Sequence, residues 1–165
     1  MMVAIIIGST SDYPKVKDAC TVLDEFGVKY HVRALSAHRS GNLLDDYISE
    51  YDDQIDVYIA AAGKAAHLPG VIAASTTKPV VGIPIKSSTL EGMDALLSIV
   101  QMPPGVPVAT VAIDGAKNAA LLAVQILGIK DTEVAKSLRE YKIKMEEKVL
   151  ADEKRMLEEI NKQNL

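Results

Sequence analysis

Three features of the sequence predict an α/β domain built on a five-stranded parallel sheet. Short apolar, β-branched runs alternate with segments of helical spacing five times before residue 130. The first run, residues 3–7, is apolar on both faces, as a strand in the middle of a parallel sheet must be. No linker, repeat or low-complexity stretch interrupts the alternation, so parallel strands joined by right-handed helical crossovers are expected within one domain.

The elements follow in order. After residues 3–7, the spacing of Val16, Ala19, Cys20, Leu23 and Phe26 predicts a helix over 14–26, closed by Gly27. Residues 29–34 read as a second strand and 43–51 as a helix. A third strand is expected over 56–62, followed by a short helix over 65–75 that Pro69 breaks early. Residues 79–84 read as a fourth strand, and 94–101 as a helix that stops before Pro103 and Pro104. A fifth strand is expected over 107–113, then a helix over 116–127 closed by Gly128. Residues 132–161 form a long charged helix with Val134, Leu138, Tyr141, Met145 and Val149 along one stripe. That stripe suits packing back on its own domain or docking on a neighbouring subunit, and its spacing does not choose between them.

Composition narrows the function. The 165 residues are 48% hydrophobic and 24% charged, and fit one globular domain. A net charge of −4 without a basic run argues against nucleic acid as a partner. Cys20 is the only cysteine, so neither an internal disulfide nor a CxxC pair can form. The apolar N-terminus is short and lacks a basic flank, so it reads as a strand and not a signal peptide. No apolar run reaches the roughly 18 residues of a membrane helix. No membrane partner is therefore expected, and a cytoplasmic location is. Six Tyr, one Phe and no Trp leave few platforms for a flavin or a stacked base.

In open parallel sheets ligands bind beyond the C-terminal strand ends. The first strand is followed by Gly8-Ser9-Thr10-Ser11-Asp12, where glycine, three hydroxyls and the start of a helix suit a phosphate. Asp12 suits a sugar hydroxyl; equally, Ser11 or Asp12 can cap the helix. After the second strand stand Ser36, Ala37, His38 and Arg39. Arginine pairs with phosphate through two parallel hydrogen bonds, and histidine gives and takes protons near neutrality. After the third come Gly63, Lys64, Ala65, Ala66, His67 and Leu68, where small residues leave room and Lys64 can meet an anion. A polar loop, Ile85-Lys86-Ser87-Ser88-Thr89, follows the fourth. Of the three histidines, His38 and His67 stand at these ends; His31 lies early in the second strand and has no assigned role.

These motifs resemble the family of the catalytic subunit of phosphoribosylaminoimidazole carboxylase, or N5-carboxyaminoimidazole ribonucleotide mutase. The resemblance spans residues 3 to 128. It includes Gly8-Ser9-Thr10-Ser11-Asp12, Ser36-Ala37-His38-Arg39, Ala65-Ala66-His67-Leu68-Pro69-Gly70, and the run from Leu96 through Gln101-Met102-Pro103-Pro104-Gly105 to Thr110. It implies a three-layer α/β/α sandwich of flavodoxin-like or Rossmann-like type. It implies an octamer whose C-terminal helices, residues 131–165 here, reach onto neighbours. A ribonucleotide substrate would be held by Ser9, Ser11, Asp12, Ser36 and Arg39, with His38 and His67 as the active-site histidines. No metal or cofactor is implied, and an upstream ATP-dependent enzyme would supply the N5-carboxylated substrate.

The sequence departs from the mutase pattern at Lys64, where a second glycine is usual, at Ser40-Gly41 in place of Thr-Pro, and at Tyr13 in place of Trp. Lys64 leans toward the branch that carboxylates with CO2 directly; Arg39 and His67-Leu68-Pro69-Gly70 lean toward the mutase. Among rival classes, a non-catalytic flavodoxin-like module leaves His38 unexplained.

Overall fold

The computed structural model describes residues 1–88 and 90–163. Its strands are β1 (Met2–Ile7), β2 (Lys29–Ala34), β3 (Val57–Gly63), β4 (Val80–Ile85) and β5 (Ala109–Thr110). They form one parallel sheet in the order β2-β1-β3-β4-β5. The helices are α1 (Tyr13–Glu25), α2 (Gly41–Tyr51), α3 (Leu68–Ser75), α4 (Met93–Val100), α5 (Ala116–Leu127) and α6 (Thr132–Gln163).

Two cores sandwich the sheet, because alternate strand residues face opposite sides. Val3, Ile5, Ile7, Ile59 and Val81 pack with α1 and α5. Ala4, Ile6, Tyr58 and Ala60 pack with α2, α3 and α4. The result is the three-layer α/β/α architecture. Strands β1 and β3 are covered on both sides, and each fully buried Ile is worth about 1.5–3 kcal/mol relative to exposure. The strand order reverses between β1 and β3, which opens a crevice at their C-terminal ends.

Helix α1 ends as its sequence predicts. Gly27 is left-handed (φ 64°), and the N–H groups of Val28 and Gly27 return to the carbonyls of Leu23 and Asp24. Gly128 serves differently. Its φ is −64°, so it does not close α5 by a left-handed turn. A Cβ there would lie 3.4 Å from the Ala135 nitrogen and the Leu138 side chain, so glycine lets α6 approach α5 closely. Asp131 caps α6, its Oδ1 accepting from the N–H groups of Glu133 and Val134 at 3.0 Å.

Two other elements differ from expectation. Helix α3 starts at Leu68 and not residue 65, so Pro69 does not break it; the proline sits in its first turn, where a missing N–H costs nothing. Strand β5 keeps two residues of the expected seven. The Gly82 and Pro84 carbonyls both face this edge, accepting from Val111 and Asp114. Pro84 has no N–H to return, so the ladder stops.

Helix α6 divides into two parts. Val134 is buried, Leu138 packs on the core, and Tyr141 meets Phe26 at 5.6 Å between ring centroids. Beyond them Met145, Val149, Leu150, Met156 and Leu157 are each at least half exposed. Among the described residues, no helix is long and apolar enough to cross a membrane.

Candidate active site

The crevice at the switch point holds a cavity of about 530 Å³, walled by the ends of four consecutive strands. β1 supplies Gly8, Ser9, Ser11 and Asp12; β2 supplies Ser36, Ala37, His38 and Arg39. Gly63, Lys64, Ala66 and Leu68 come from the β3 end, and Ile85, Lys86 and Ser87 from the β4 end. A larger groove, about 960 Å³, runs between α1, α5 and α6, but it contains no histidine and no strand-end loop.

The first loop is ordered by its own hydroxyls. Ser9 caps a single 3-10 turn, Thr10–Asp12, that leads into α1. The Ser11 N–H and hydroxyl donate to Ser9 Oγ at 3.3 and 2.8 Å. Neither Ser11 nor Asp12 caps α1; Asp12 occupies the cap position without a side-chain bond to the helix. Its carboxylate is therefore free of the helix and borders the cavity. Burial pushes the Asp12 carboxyl above the usual aspartate value, opposed by Lys15, hydrogen bonds from Ser9 and Ser11, and Arg39.

The second loop is cross-tied. Ser40 Oγ accepts the Ser36 N–H at 2.9 Å and donates to the Ser36 carbonyl at 3.1 Å. The Arg39 N–H donates to Ser36 Oγ at 3.2 Å. The Arg39 guanidinium reaches the Gly8 carbonyl at 2.7 Å and thereby joins the first loop to the second. This uses one edge of its donor fork and leaves further N–H groups for an anion. His38, between these anchors, is exposed at the cavity wall.

At the third loop Lys64 is exposed and left-handed (φ 58°), a conformation that strains a non-glycine residue by about 1–3 kcal/mol. Glycine relaxes such a position, which is the physical reason a glycine suits it. Ala65 and His67 do not line the cavity; Ala66 takes the place expected of Ala65. His67 precedes α3, with its ring lying over Gly70 and its buried Nδ1 lacking a hydrogen-bond partner. His31 bonds the Tyr47 hydroxyl at 3.0 Å and stands edge-on to Tyr51, an aromatic packing role between β2 and α2. Thr89, expected in the loop after β4, lies outside the described residues. Among the described residues there is no cluster of three or more metal-ligating side chains.

A family model described as AIR carboxylase matches residues 2–148. The chain belongs to the AIR carboxylase family. It is 54% identical to the N5-carboxyaminoimidazole ribonucleotide mutase of Pyrococcus horikoshii, covering 95% of this chain and 89% of that protein. It is 52% identical to the mutase of Thermotoga maritima, covering 93% and 91%. The phosphoribosylaminoimidazole carboxylase of Saccharomyces cerevisiae is 51% identical over 90% of this chain, which spans 26% of that longer protein. The crystal structure of Treponema denticola PurE superposes with a TM-score of 0.86 at 31% identity, covering 93% of this chain and 97% of that one. The strand-end motifs of the sequence supply most of the cavity lining, but Lys15 and Asp114, which brace its β4 wall, are not among them. Nothing local marks them, because the two residues stand 99 positions apart.

Proposed function

We propose that the protein is an N5-carboxyaminoimidazole ribonucleotide mutase of purine (IMP) biosynthesis, moving a carboxylate from N5 to C4 of the aminoimidazole. The observation that carries this is the convergence of His38 with Ser9, Ser11, Asp12, Ser36 and Arg39 on one cavity, in a chain more than half identical to two proteins of that name. Arg39 and the paired hydroxyls of Ser9 and Ser11 suit the 5′-phosphate, and Asp12 suits a ribose hydroxyl. Gly63, Lys64 and Leu68, with Ala66 on the wall in place of Ala65, border the base end of the substrate.

The N5–carboxylate bond breaks and CO2 departs, while N5 takes up a proton and aminoimidazole ribonucleotide remains. C4 then attacks the CO2, and loss of the C4 proton restores aromaticity. One histidine, His38, delivers the first proton and recovers the second. His67 is the second active-site histidine in this reading; it stands behind Ala66 and Leu68, which line the cavity, and acts on the base end through them. The steps need no redox change, and no cofactor is assigned. Excluding water keeps CO2 from escaping. His38 is exposed in the single chain, which favours closure by a second copy. Residues 1–165 act as one catalytic domain in a homo-oligomer, an octamer by resemblance, with 131–165 as the extension that contacts neighbours. An upstream ATP-dependent synthetase supplies the N5-carboxylated substrate.

Lys64 supports a second reading, direct carboxylation of aminoimidazole ribonucleotide, because its cation borders the cavity and can attract bicarbonate. One experiment separates the two. Purified protein with EDTA and without ATP is given either N5-carboxyaminoimidazole ribonucleotide or aminoimidazole ribonucleotide plus bicarbonate, and Lys64→Gly is run alongside. Faster turnover of the first is expected; faster turnover of the second, lost in Lys64→Gly, establishes the carboxylase; activity with neither overturns both.

A further inference from the structure

Among the described residues outside those already assigned, a charged pair adjoins the cavity without lining it. Lys15, in the first turn of α1, donates from Nζ to the Lys86 carbonyl at 2.5 Å and to both Asp114 carboxylate oxygens at 3.2 and 3.3 Å. Asp114 Oδ1 in turn accepts the backbone N–H of Lys86 at 2.8 Å. Both polar backbone groups of Lys86 are thus tied to a single ion pair.

Lys86 stands one residue past the end of β4, where the ladder to β3 has stopped at Ile85. The ion pair replaces the sheet there, and Lys86 and Ser87, with Ile85, form this wall of the cavity. The segment beyond needs such an anchor. Leu90 and Glu91 are both left-handed (φ 54° each), and Glu91 pairs with the Lys86 ammonium. Asp114 is itself held rigidly. Its φ is 55°, its N–H bonds the Pro84 carbonyl at 2.8 Å, and a Cβ on Gly115 would lie 2.7 Å from the Ala112 carbonyl oxygen. On its other side Lys15 stands one helical turn from Asp12, and its charge is the largest influence opposing burial at that carboxyl. The ammonium therefore links the first loop, the β4 wall and the turn before α5.

We propose that Lys15 and Asp114 are a positioning pair, which sets the spacing between the substrate-holding loop Gly8–Asp12 and the wall Lys86–Ser87. The inference rests on the substrate reading given above. The two side chains are 34% and 35% exposed, so solvent screens the pair and its loss perturbs folding little. What its loss releases is the Lys86 peptide, and with it one side of the site.

The test uses full-length Lys15→Met, Asp114→Asn, the double variant and Lys15→Arg. Asparagine tolerates the left-handed backbone and still accepts the Lys86 N–H, so Asp114→Asn removes the charge and one acceptor for Lys15 while keeping the Lys86 N–H bond. Expected are a KM for N5-carboxyaminoimidazole ribonucleotide raised on the order of tenfold in each single variant, kcat within about threefold, and no further loss in the double variant. Lys15→Arg recovers KM. Unchanged KM in Lys15→Met, or additive losses, overturns the proposal. Amide hydrogen exchange at Lys86 and Ser87 in the ligand-free protein judges the tether separately: faster exchange in Lys15→Met supports it, and unaltered protection overturns it. If the unaltered protein turns over no substrate, the substrate reading falls while the exchange result still decides on the tether.

Discussion

Replacing Gly70 with alanine separates the fold from the role proposed for His67. A Cβ on residue 70 would lie 2.1 Å from His67 Nε2, 2.5 Å from Cδ2 and 2.7 Å from Cε1. Ordinary contact is about 3.5 Å, so the ring must withdraw by about 1.4 Å. The atoms in the way end a side chain that rotates, so backbone need not move. Overpacking costs about 1–3 kcal/mol, and alanine is about 0.5–1 kcal/mol better than glycine within a helix. The net loss is expected to stay below about 2.5 kcal/mol, a fall in Tm of no more than about 10 °C. A 1 Å misplacement, even of a group behind the reacting atoms, can cost on the order of 10²-fold. Gly70→Ala should therefore fold and yet lose about two orders of magnitude in mutase kcat. Calorimetry and the EDTA-treated turnover assay read the two effects. Full kcat at unchanged Tm refutes a role for the His67 ring; a collapse of Tm refutes the claim that only the ring moves.

Two further outcomes are expected. Burial raises the Asp12 pKa on folding, so the folded protein holds that proton more tightly than the unfolded chain. Ionised Asp12 thus lowers stability at neutral pH, an effect that vanishes as pH falls below the unfolded value. Asp12→Asn should raise Tm at about pH 7 but not at about pH 3, while raising KM for the ribonucleotide; a lower Tm at neutrality contradicts this. For assembly, Val149→Glu with Leu157→Glu places charge on the exposed stripe of α6. Under the proposed homo-oligomer, light scattering should show a smaller particle than for the unaltered protein, and an undiminished mass would rule out α6 as its contact.

Much of this architecture is written locally. β1 and β3 are runs of residues buried on both faces, and no other arrangement satisfies so apolar a strand. Helix α5 begins and ends where its spacing places it, because its buried alanines recur every three or four residues. The errors arose where a partner decides. β5 is short because Pro84, on the neighbouring strand, cannot donate across to it, and nothing within 107–113 announces that. Gly128 looks like a helix stop, yet its use is visible only once α6 lies against it.

The site divides in the same way. Sequence determined which loops carry hydroxyls, Arg39, His38 and Lys64, because a parallel α/β chain must deliver its strand ends to one edge. Only the tertiary structure decided how those groups are held. Arg39 spends part of its guanidinium on the Gly8 carbonyl, the His67 ring lies over Gly70, and Lys15 meets Asp114 across 99 residues. Periodicity and local motifs describe a chain's neighbours along its own length. Contacts between loops depend on strand order and register, which are settled by the packing of the whole sheet.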